Sequence, residues 1–271
     1  MSTLLETART AAAKHGVLYC GICPIERLSH LIDCRKKGLV PQSGGVIALL
    51  LPYYTGMWPE RNVSLYAVPD DYHRIAGVIL EEVAECLRQS FPTGSFTAFV
   101  DSSPIPEVEA ACLCGLGFRG KHGQLINKDY GSMTFIGEIV TDLPVEGWEE
   151  PPVGGTCGSC RRCLEACPTG ALTALGLTRP LCRSAITQKK GVLSAWEQEQ
   201  IKAGGLVWGC DLCTLACPHN YNLPYTPIAG MQDNLTPLVT AGGLEELLQV
   251  KSYGWRGKAV LERNLAIVEA F

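Results

Sequence analysis

Eight of the chain's fourteen cysteines fall into one pattern along the sequence. The first run extends from Cys157 to Cys167, with gaps of two, two and three residues, and a proline follows it directly. The second run, Cys210 to Cys217, has gaps of two and three residues and the same proline ending. This is the spacing of bacterial proteins that hold two [4Fe–4S] clusters, in which the last cysteine of a run serves the other cluster. The sequence therefore predicts a fold built around two cubane clusters.

The second run is one cysteine short, and Cys182 is the cysteine that completes it. Two-residue gaps let a loop wrap a cubane while backbone N–H groups turn toward its sulfurs and tune its potential. The predicted ligands of one cluster are Cys157, Cys160, Cys163 and Cys217, and those of the other are Cys167, Cys182, Cys210 and Cys213.

Two other uses of these cysteines are disfavoured. A disulfide scaffold needs an oxidising compartment, and the first six residues lack the basic stretch that opens an export signal. Zinc prefers closed sets of four from paired Cys-x2-Cys motifs, without the Cys-Pro endings. We therefore expect iron–sulfur clusters in a cytoplasmic protein without a membrane span.

Composition and charge set further limits. With 46% hydrophobic and 18% charged residues, the chain is typical of a soluble globular protein. Its net charge of −4 is the wrong sign for a nucleic-acid binder. Residues 157–220 nevertheless hold seven Lys or Arg against four Asp or Glu. These charges are either a basic binding face or, as the pattern slightly favours, charges that solvate short helices and offset the clusters.

Alternating helix and strand patterns predict an α/β (α+β) fold, with a mixed sheet covered on its faces. A stretch rich in Pro, Glu and Gly at 144–155 predicts a domain boundary. We predict an α/β domain at 1–150, a ferredoxin-like two-cluster domain at 151–222 and a wrap with C-terminal helices at 223–271. The last helix has an apolar face that docks either on the body of the protein, as we expect, or on a partner. The predicted helices are 2–15, 25–37, 70–90, 107–114, 243–250 and 257–270, and the predicted strands are 17–22, 46–51, 95–100 and 133–143.

Three weaker features stay open at this stage. The glycine-rich segment from Gly115 to Lys121 lacks the context of an NAD or ATP loop, but its backbone can approach a large ligand. Cys20 and Cys23 suggest a redox pair, although buried ordinary thiols are favoured. Asp101 ends a predicted strand, where α/β sheets bind ligands, yet spacing alone favours a turn or helix-cap carboxylate.

The order of these motifs resembles the epoxyqueuosine reductases, cobalamin-dependent iron–sulfur enzymes of tRNA queuosine modification. The resemblance covers most of residues 1–270. Its stretches are Asp71-Tyr-His73, Phe99-Val-Asp101-Ser-Ser-Pro-Ile, Gly115-Leu-Gly-Phe-Arg-Gly-Lys121-His122, Gly131-Ser132, Ile136-Gly-Glu-Ile-Val-Thr-Asp142, both cysteine runs with Cys182, and Arg263-Asn264.

The resemblance implies a cobalamin held without a protein histidine below the cobalt, and two clusters that pass electrons to it. The reduced cobalt then helps remove the epoxide oxygen from epoxyqueuosine in the tRNA anticodon, or oxygen from a smaller related substrate. Asp101 corresponds to the acid that protonates this oxygen, and we expect burial to raise its pKa. The resemblance also implies an external electron donor, such as a flavodoxin or ferredoxin-like protein. The implied cofactor-binding residues are Asp71, Tyr72, His73, Gly117, Gly120, Lys121, His122 and Ser132.

The sequence departs from the family at several points. Phe118 stands where a tryptophan is usual, and the sequence ends at Phe271 where family members usually continue into helical repeats that grip tRNA. These departures count against tRNA as a partner and leave both cofactors untouched. The competing hypothesis is a non-catalytic electron-transfer protein that serves a partner's corrinoid or flavin. Reductive dehalogenases resemble the same core but normally carry an export signal. Asp101 with its Ser-Ser-Pro neighbours favours an enzyme.

Overall fold

A four-stranded sheet forms the centre of the molecule, for which a computed structural model describes residues 3–269. The strands are β1 Tyr19–Pro24, β2 Gly45–Pro52, β3 Phe96–Val100, β4 Phe118–Arg119, β5 Leu125–Ile126, β6 Thr134–Thr141, β7 Leu172–Thr173 and β8 Gly176–Leu177. The α-helices are α1 Leu4–Ala13, α2 Tyr72–Ser90, α3 Glu107–Leu113, α4 Arg162–Glu165, α5 Arg183–Thr187, α6 Ala195–Gly204, α7 Leu212–Leu215, α8 Leu244–Val250 and α9 Lys258–Glu269.

The sheet has the strand order β1-β2-β6-β3, and each of its three pairings is antiparallel. The prediction of a mixed sheet is therefore wrong. Strands that are adjacent and joined without a crossover helix run antiparallel, and no crossover helix lies between β1 and β2. Strand β2 is buried along its whole length because α1 and α2 pack on one face and α3 on the other.

The predicted helix at 25–37 is the reason for this difference, because it does not form. The segment has only short 3-10 turns at Ile25–Arg27 and Lys37–Leu39. Between these turns, backbone N–H groups bond to other elements instead of continuing a helix. Ser29 donates to a Glu109 carboxylate oxygen at 2.7 Å, and Ile32 donates to the Pro104 carbonyl at 2.8 Å. Tertiary contacts with the end of β3 and with α3 thus replace a local helical pattern.

The other predicted helices and strands are confirmed within a few residues. Helix α2 begins after Asp71, whose carboxylate accepts from the His73 backbone N–H at 3.1 Å. Thr3 and Glu6 form a capping box that starts α1. Residue 2 of the first predicted helix and residue 270 of the last lie outside the described residues.

The C-terminal helices dock on the body, as predicted. Leu261 and Leu265 are buried in an apolar cluster that also contains Val63 and Trp208. In the cysteine-rich region, α4 and α7 are only four residues long and α5 is five, whereas α6 has ten residues. The division of the chain into three domains stays a prediction. Within residues 3–269, no helix has the length and apolarity that a membrane crossing needs.

Candidate functional site

A cleft of about 910 Å³ opens where β3 ends and α2 begins. It brings together five of the residues predicted from the sequence: Asp71, Tyr72, His73, Asp101 and Ser132. Asp101 lies directly after the last residue of β3, while the other side of the cleft is the first turn of α2.

A polar network connects these two elements at the bottom of the cleft. The Tyr72 hydroxyl donates to Oδ2 of Asp101. His73 uses both ring nitrogens, with Nε2 at 3.1 Å from Oδ2 of Asp101 and Nδ1 at 2.7 Å from Oδ1 of Asp71. The Tyr72 ring is stacked between His73 and Phe135, which fixes the hydroxyl in place. Asp101 is therefore held by two donors from one helix turn.

The network sets the protonation of its members. The hydrogen bond to Asp101 has the largest effect on His73, and the hydrogen bond to Asp71 adds to it. Together they raise the pKa of His73 to about 9, so the ring is a cation at neutral pH. Burial raises the pKa of Asp101, but the hydrogen bonds from His73 and Tyr72 outweigh it and leave the pKa below its ordinary value. The expectation of a raised pKa at Asp101 is wrong, because the sequence did not reveal the histidine beside it.

The backbone at Asp101 is strained. Asp101 and Ser102 have φ angles of 47° and 45°, in a region that residues with a side chain rarely adopt. Helix α3 starts after Pro106 without any side-chain cap, so the interpretation of Asp101 as a helix cap is wrong. The carboxylate points to the polar network instead, and strained residues of this kind cluster at functional sites.

Two carboxyl groups near Asp101 escaped the sequence analysis. Burial, and then the charge of Asp101, raises the pKa of Glu107 to about 7. Glu138 on β6 is fully buried beside the Ser103 hydroxyl, which offsets only part of the effect of burial on its carboxyl group. Burial raises its pKa well above the ordinary value, with further contributions from Glu107 and Asp101. The sequence offered a signal for Glu138 alone, because it is the one acidic residue within the apolar segment that forms β6.

The predicted cluster ligands fall into the two predicted groups. Four of the thiols line one cavity of about 50 Å³: Cys157, Cys160, Cys163 and Cys217. In the second group, burial raises the pKa of Cys213 to about 12, with further contributions from Cys210, Cys182 and Cys167. All fourteen cysteines are free thiols. This donor set fits two cubanes, while ligation by these eight cysteines stays a prediction.

The thiols are not arranged for one metal ion. Within residues 3–269, no group of three or more His, Cys, Asp or Glu side chains converges as the ligands of a single ion do. In a [4Fe–4S] cubane each cysteine thiolate binds a different iron. The four cysteine sulfurs therefore surround the cluster and lie apart from one another.

The glycine-rich loop lies against the first cysteine group. The Lys121 backbone N–H donates to Sγ of Cys157 at 3.4 Å, and its ammonium donates to the Gly158 and Cys160 carbonyls at 2.7 and 2.9 Å. His122 lines the same cavity as the four thiols. Gly120, Lys121 and His122 also line a second cavity of about 940 Å³, which shares Gln124 with the cleft at Asp101. Contact with a corrin stays a prediction for these residues.

Two of the predicted cofactor-binding residues have structural partners within the protein. At Gly117, an added Cβ would lie 2.3 Å from the Ile126 carbonyl oxygen, so glycine lets β4 and β5 approach each other. Ser132 donates its backbone N–H to Oδ1 of Asn220 at 2.7 Å, and its hydroxyl accepts from Nδ2 at 2.9 Å. Ser132 thereby ties the cleft to the segment that follows Cys217.

A buried ion pair ties the second cysteine group to the α/β part of the chain. Asp211, between Cys210 and α7, accepts from Arg61 at 3.2 Å, from the Ser64 hydroxyl at 2.8 Å and from the Leu65 backbone N–H at 3.0 Å. Both cysteine groups are therefore anchored to the elements that form the cleft.

Two protein families match separate parts of the chain. Residues 156–220 match the family described as a 4Fe-4S double cluster binding domain, and residues 34–102 match the family described as epoxyqueuosine reductase QueG, DUF1730.

Relatives with a curated description share the second of these names. The epoxyqueuosine reductase of Lactococcus garvieae is 37% identical over 206 residues, which is 72% of this chain and 58% of that protein. The epoxyqueuosine reductase of Synechocystis is 34% identical over 232 residues, which is 81% of this chain and 77% of that protein. The chain thus spans less than two thirds of the length of the Lactococcus garvieae protein.

Solved structures share the fold over nearly the whole chain. Epoxyqueuosine reductase with a tRNA-Tyr epoxyqueuosine-modified stem loop has a TM-score of 0.81 and 26% identity, over 98% of this chain and 80% of that one. The Streptococcus thermophilus enzyme has a TM-score of 0.77 and 25% identity, over 96% and 79%. The catabolic reductive dehalogenase NpRdhA, at 17% identity and a TM-score of 0.52 over 97% and 35%, is similar in fold alone.

Proposed function

This chain belongs to the epoxyqueuosine reductase family, and we propose that it is a cytoplasmic oxidoreductase that converts epoxyqueuosine in tRNA to queuosine. The observation that carries the proposal is the contact of Asp101 with His73 and Tyr72 in a cleft that shares Gln124 with the cavity along the glycine-rich loop, which itself contacts Cys157. An acid network and an electron source on one chain are what a reductive deoxygenation requires.

The balance of the reaction defines the tasks of the site. Removal of the epoxide oxygen as water leaves a carbon–carbon double bond, and it consumes two electrons and two protons. The eight cysteines would hold two [4Fe–4S] clusters, which would supply these electrons from an external donor, flavodoxin or ferredoxin-like. The protons reach the departing oxygen from groups in the cleft.

The pair of Asp101 and His73 is suited to deliver a proton. At neutral pH the pair holds one proton, mainly on the imidazole, because the pKa of His73 is raised to about 9 and that of Asp101 is lowered. A substrate that displaces water from the cleft would favour the neutral form of both groups, which places the proton on Asp101. Asp101 then acts as the general acid, with Tyr72 holding its carboxyl group in position.

The residues of the cleft fit cobalamin in size and in chemistry. Two adjoining cavities of about 910 and 940 Å³ provide room for a corrin ring and its side chains. Asp71, Tyr72, His73 and Ser132 would hold it on one side, and Gly120, Lys121 and His122 on the other, while Gly117 would shape the loop that carries these three residues. When bound, cobalamin supplies a strongly reducing cobalt centre. The residues of the chain exclude water from the cleft and move the protons.

The competing function, a non-catalytic electron-transfer module, has no need for such a cleft or for an acid held by a histidine cation. tRNA as the substrate carrier is supported by the relative solved with an epoxyqueuosine-modified stem loop. The surplus of basic residues at 157–220 would offset the net charge of −4 where RNA approaches.

Anaerobic reconstitution with iron, sulfide and cobalamin, followed by a single turnover of an epoxyqueuosine-containing anticodon stem loop, tests the proposal. Nucleoside mass spectrometry is expected to show queuosine in an amount equal to the loaded protein. A chain that holds both clusters and cobalamin and yields no queuosine would contradict the substrate. Full iron content without bound cobalamin would favour the electron-transfer module.

A further inference from the structure

His122 is buried among the thiols of the first cysteine group, with only 7% of its surface exposed. It lines the same cavity as Cys157, Cys160, Cys163 and Cys217. Its Nε2 is completely buried and has no hydrogen-bond partner among the described residues. A buried ring nitrogen without a partner is costly, so a group absent from the polypeptide itself is the expected partner.

The tautomer of His122 follows from its other nitrogen. Nδ1 accepts a hydrogen bond from the backbone N–H of Gln124 at 3.2 Å, so this nitrogen carries no proton. The ring proton therefore lies on Nε2, which makes the unpartnered nitrogen a donor.

The ring is held in this position by its surroundings. A Cβ at Gly120 would lie 2.8 Å from Cε1 and 3.1 Å from Nε2 of His122, so only glycine at this position leaves room for the ring. The neighbouring Lys121 already donates its backbone N–H to Sγ of Cys157 from the same loop. A loop that carries one donor to a cysteine sulfur thus presents a second donor to the same cavity.

We propose that His122 donates a hydrogen bond from Nε2 to a sulfur of the first cluster and thereby raises the reduction potential of that cluster. The inference rests on the proposed cluster at Cys157, Cys160, Cys163 and Cys217. A donor to sulfur stabilises the reduced state, which carries one more negative charge, and so shifts the potential in the positive direction. His122 acts through the cluster and is a positioning and tuning residue for electron delivery.

Two substitutions separate the hydrogen bond from the packing of the ring. His122→Phe keeps a buried ring and removes the donor, whereas His122→Gln places an amide N–H near the position of Nε2. The reconstituted full chain is titrated anaerobically, with each cluster followed by electron paramagnetic resonance. Iron and sulfide content are measured on the same samples, and the second cluster serves as the internal control.

The expected result is a shift of one midpoint potential to more negative values in H122F, with a smaller shift in H122Q and none in the second cluster. An unshifted potential in H122F would overturn the inference, and so would equal shifts in both variants, which would indicate packing alone. Failure of the wild-type chain to assemble four irons at this site would instead contradict the proposed cluster.

A measurement on the unmodified His122 covers the case in which neither variant assembles. All histidine rings are labelled with ¹⁵N, and His219 is replaced by Gln because it lines the same cavity. His122 is then the labelled ring that remains in this cavity. Electron–nuclear double resonance on the reduced cluster is expected to show a ¹⁵N coupling together with an exchangeable proton. The absence of both signals would overturn the hydrogen bond.

Discussion

His73 and Asp101 are in contact through Nε2 and Oδ2 at 3.1 Å, although one residue lies in the first turn of α2 and the other directly follows β3. The second ring nitrogen of His73 bonds to Asp71, so the imidazole lies between two carboxylates. The protonated imidazole therefore holds a proton within reach of Asp101, although the pKa of Asp101 itself is below its ordinary value.

Asp101→Asn is expected to retain both clusters and cobalamin and to lose at least about 100-fold in single-turnover rate, which is the lower range for a missing general acid. The amide occupies the same space and still accepts from Tyr72, so the fold is preserved. Rate and metal content are measured on one preparation, with Glu60→Gln, at an exposed position outside the cleft, as the control. Retention of the full rate in D101N would exclude the proton-donor role.

Asp71→Asn should change the pH dependence of the reaction. The pKa of His73 is raised to about 9, so the protonated ring, and the rate with it, is lost as the pH rises through about 9. Removing one of the two carboxylates lowers this pKa and moves the falling limb toward neutral pH. Single-turnover rates between pH 6 and pH 10 in wild type and D71N check this. Coincident profiles would mean that His73 does not supply the proton.

The cysteine spacing predicted the grouping of the thiols because two-cluster domains follow a recurrent ligand pattern, in which the last cysteine of each run lies with the other group. The partner of Asp101 could not be predicted in this way. His73 and Asp101 meet only because α2 packs beside β3, and no local pattern records that contact. The helix predicted at 25–37 failed for a related reason, since Ser29 and Ile32 bond to distant residues. With that helix absent, β1 and β2 pair in the antiparallel direction.

Glu138→Gln should make the protein more stable above neutral pH. Burial, with Glu107 and Asp101 nearby, raises the folded-state pKa of Glu138, whereas the unfolded chain ionises near the ordinary value. The folded protein thus binds one proton more, and its stability falls by about 1.4 kcal/mol per pH unit between the two pKa values.

Thermal midpoints of the cluster-loaded protein at pH 5 and pH 8 check this expectation. E138Q should exceed wild type at pH 8, and the difference should shrink toward pH 5. Glu60→Gln, at an exposed position, serves as the control and should follow wild type. A wild-type midpoint equal to that of E138Q at pH 8 would indicate that Glu138 is ionised in the folded state.

Cys182→Ser tests the assignment of the second cluster. If Cys182 completes the group of Cys167, Cys210 and Cys213, the variant should bind about four irons where wild type binds about eight. The first cluster should keep its spectrum. Cys34→Ser, outside both groups, is the matched control. Full iron content in C182S would require another fourth ligand.

Asp211→Ala should destabilise the second cluster more than the first. The carboxylate accepts from Arg61, Ser64 and Leu65, and its loss leaves the mostly buried Arg61 cation without its carboxylate partner. Breaking a buried ion pair in this way costs about 3–5 kcal/mol. Asp211→Asn keeps acceptors for Ser64 and Leu65 and should fall between wild type and D211A. The rate of iron release to a chelator, resolved by cluster, measures the effect. Equal release from both clusters in D211A would mean that Asp211 stabilises the whole fold and does not anchor one cluster to the wall of the cleft.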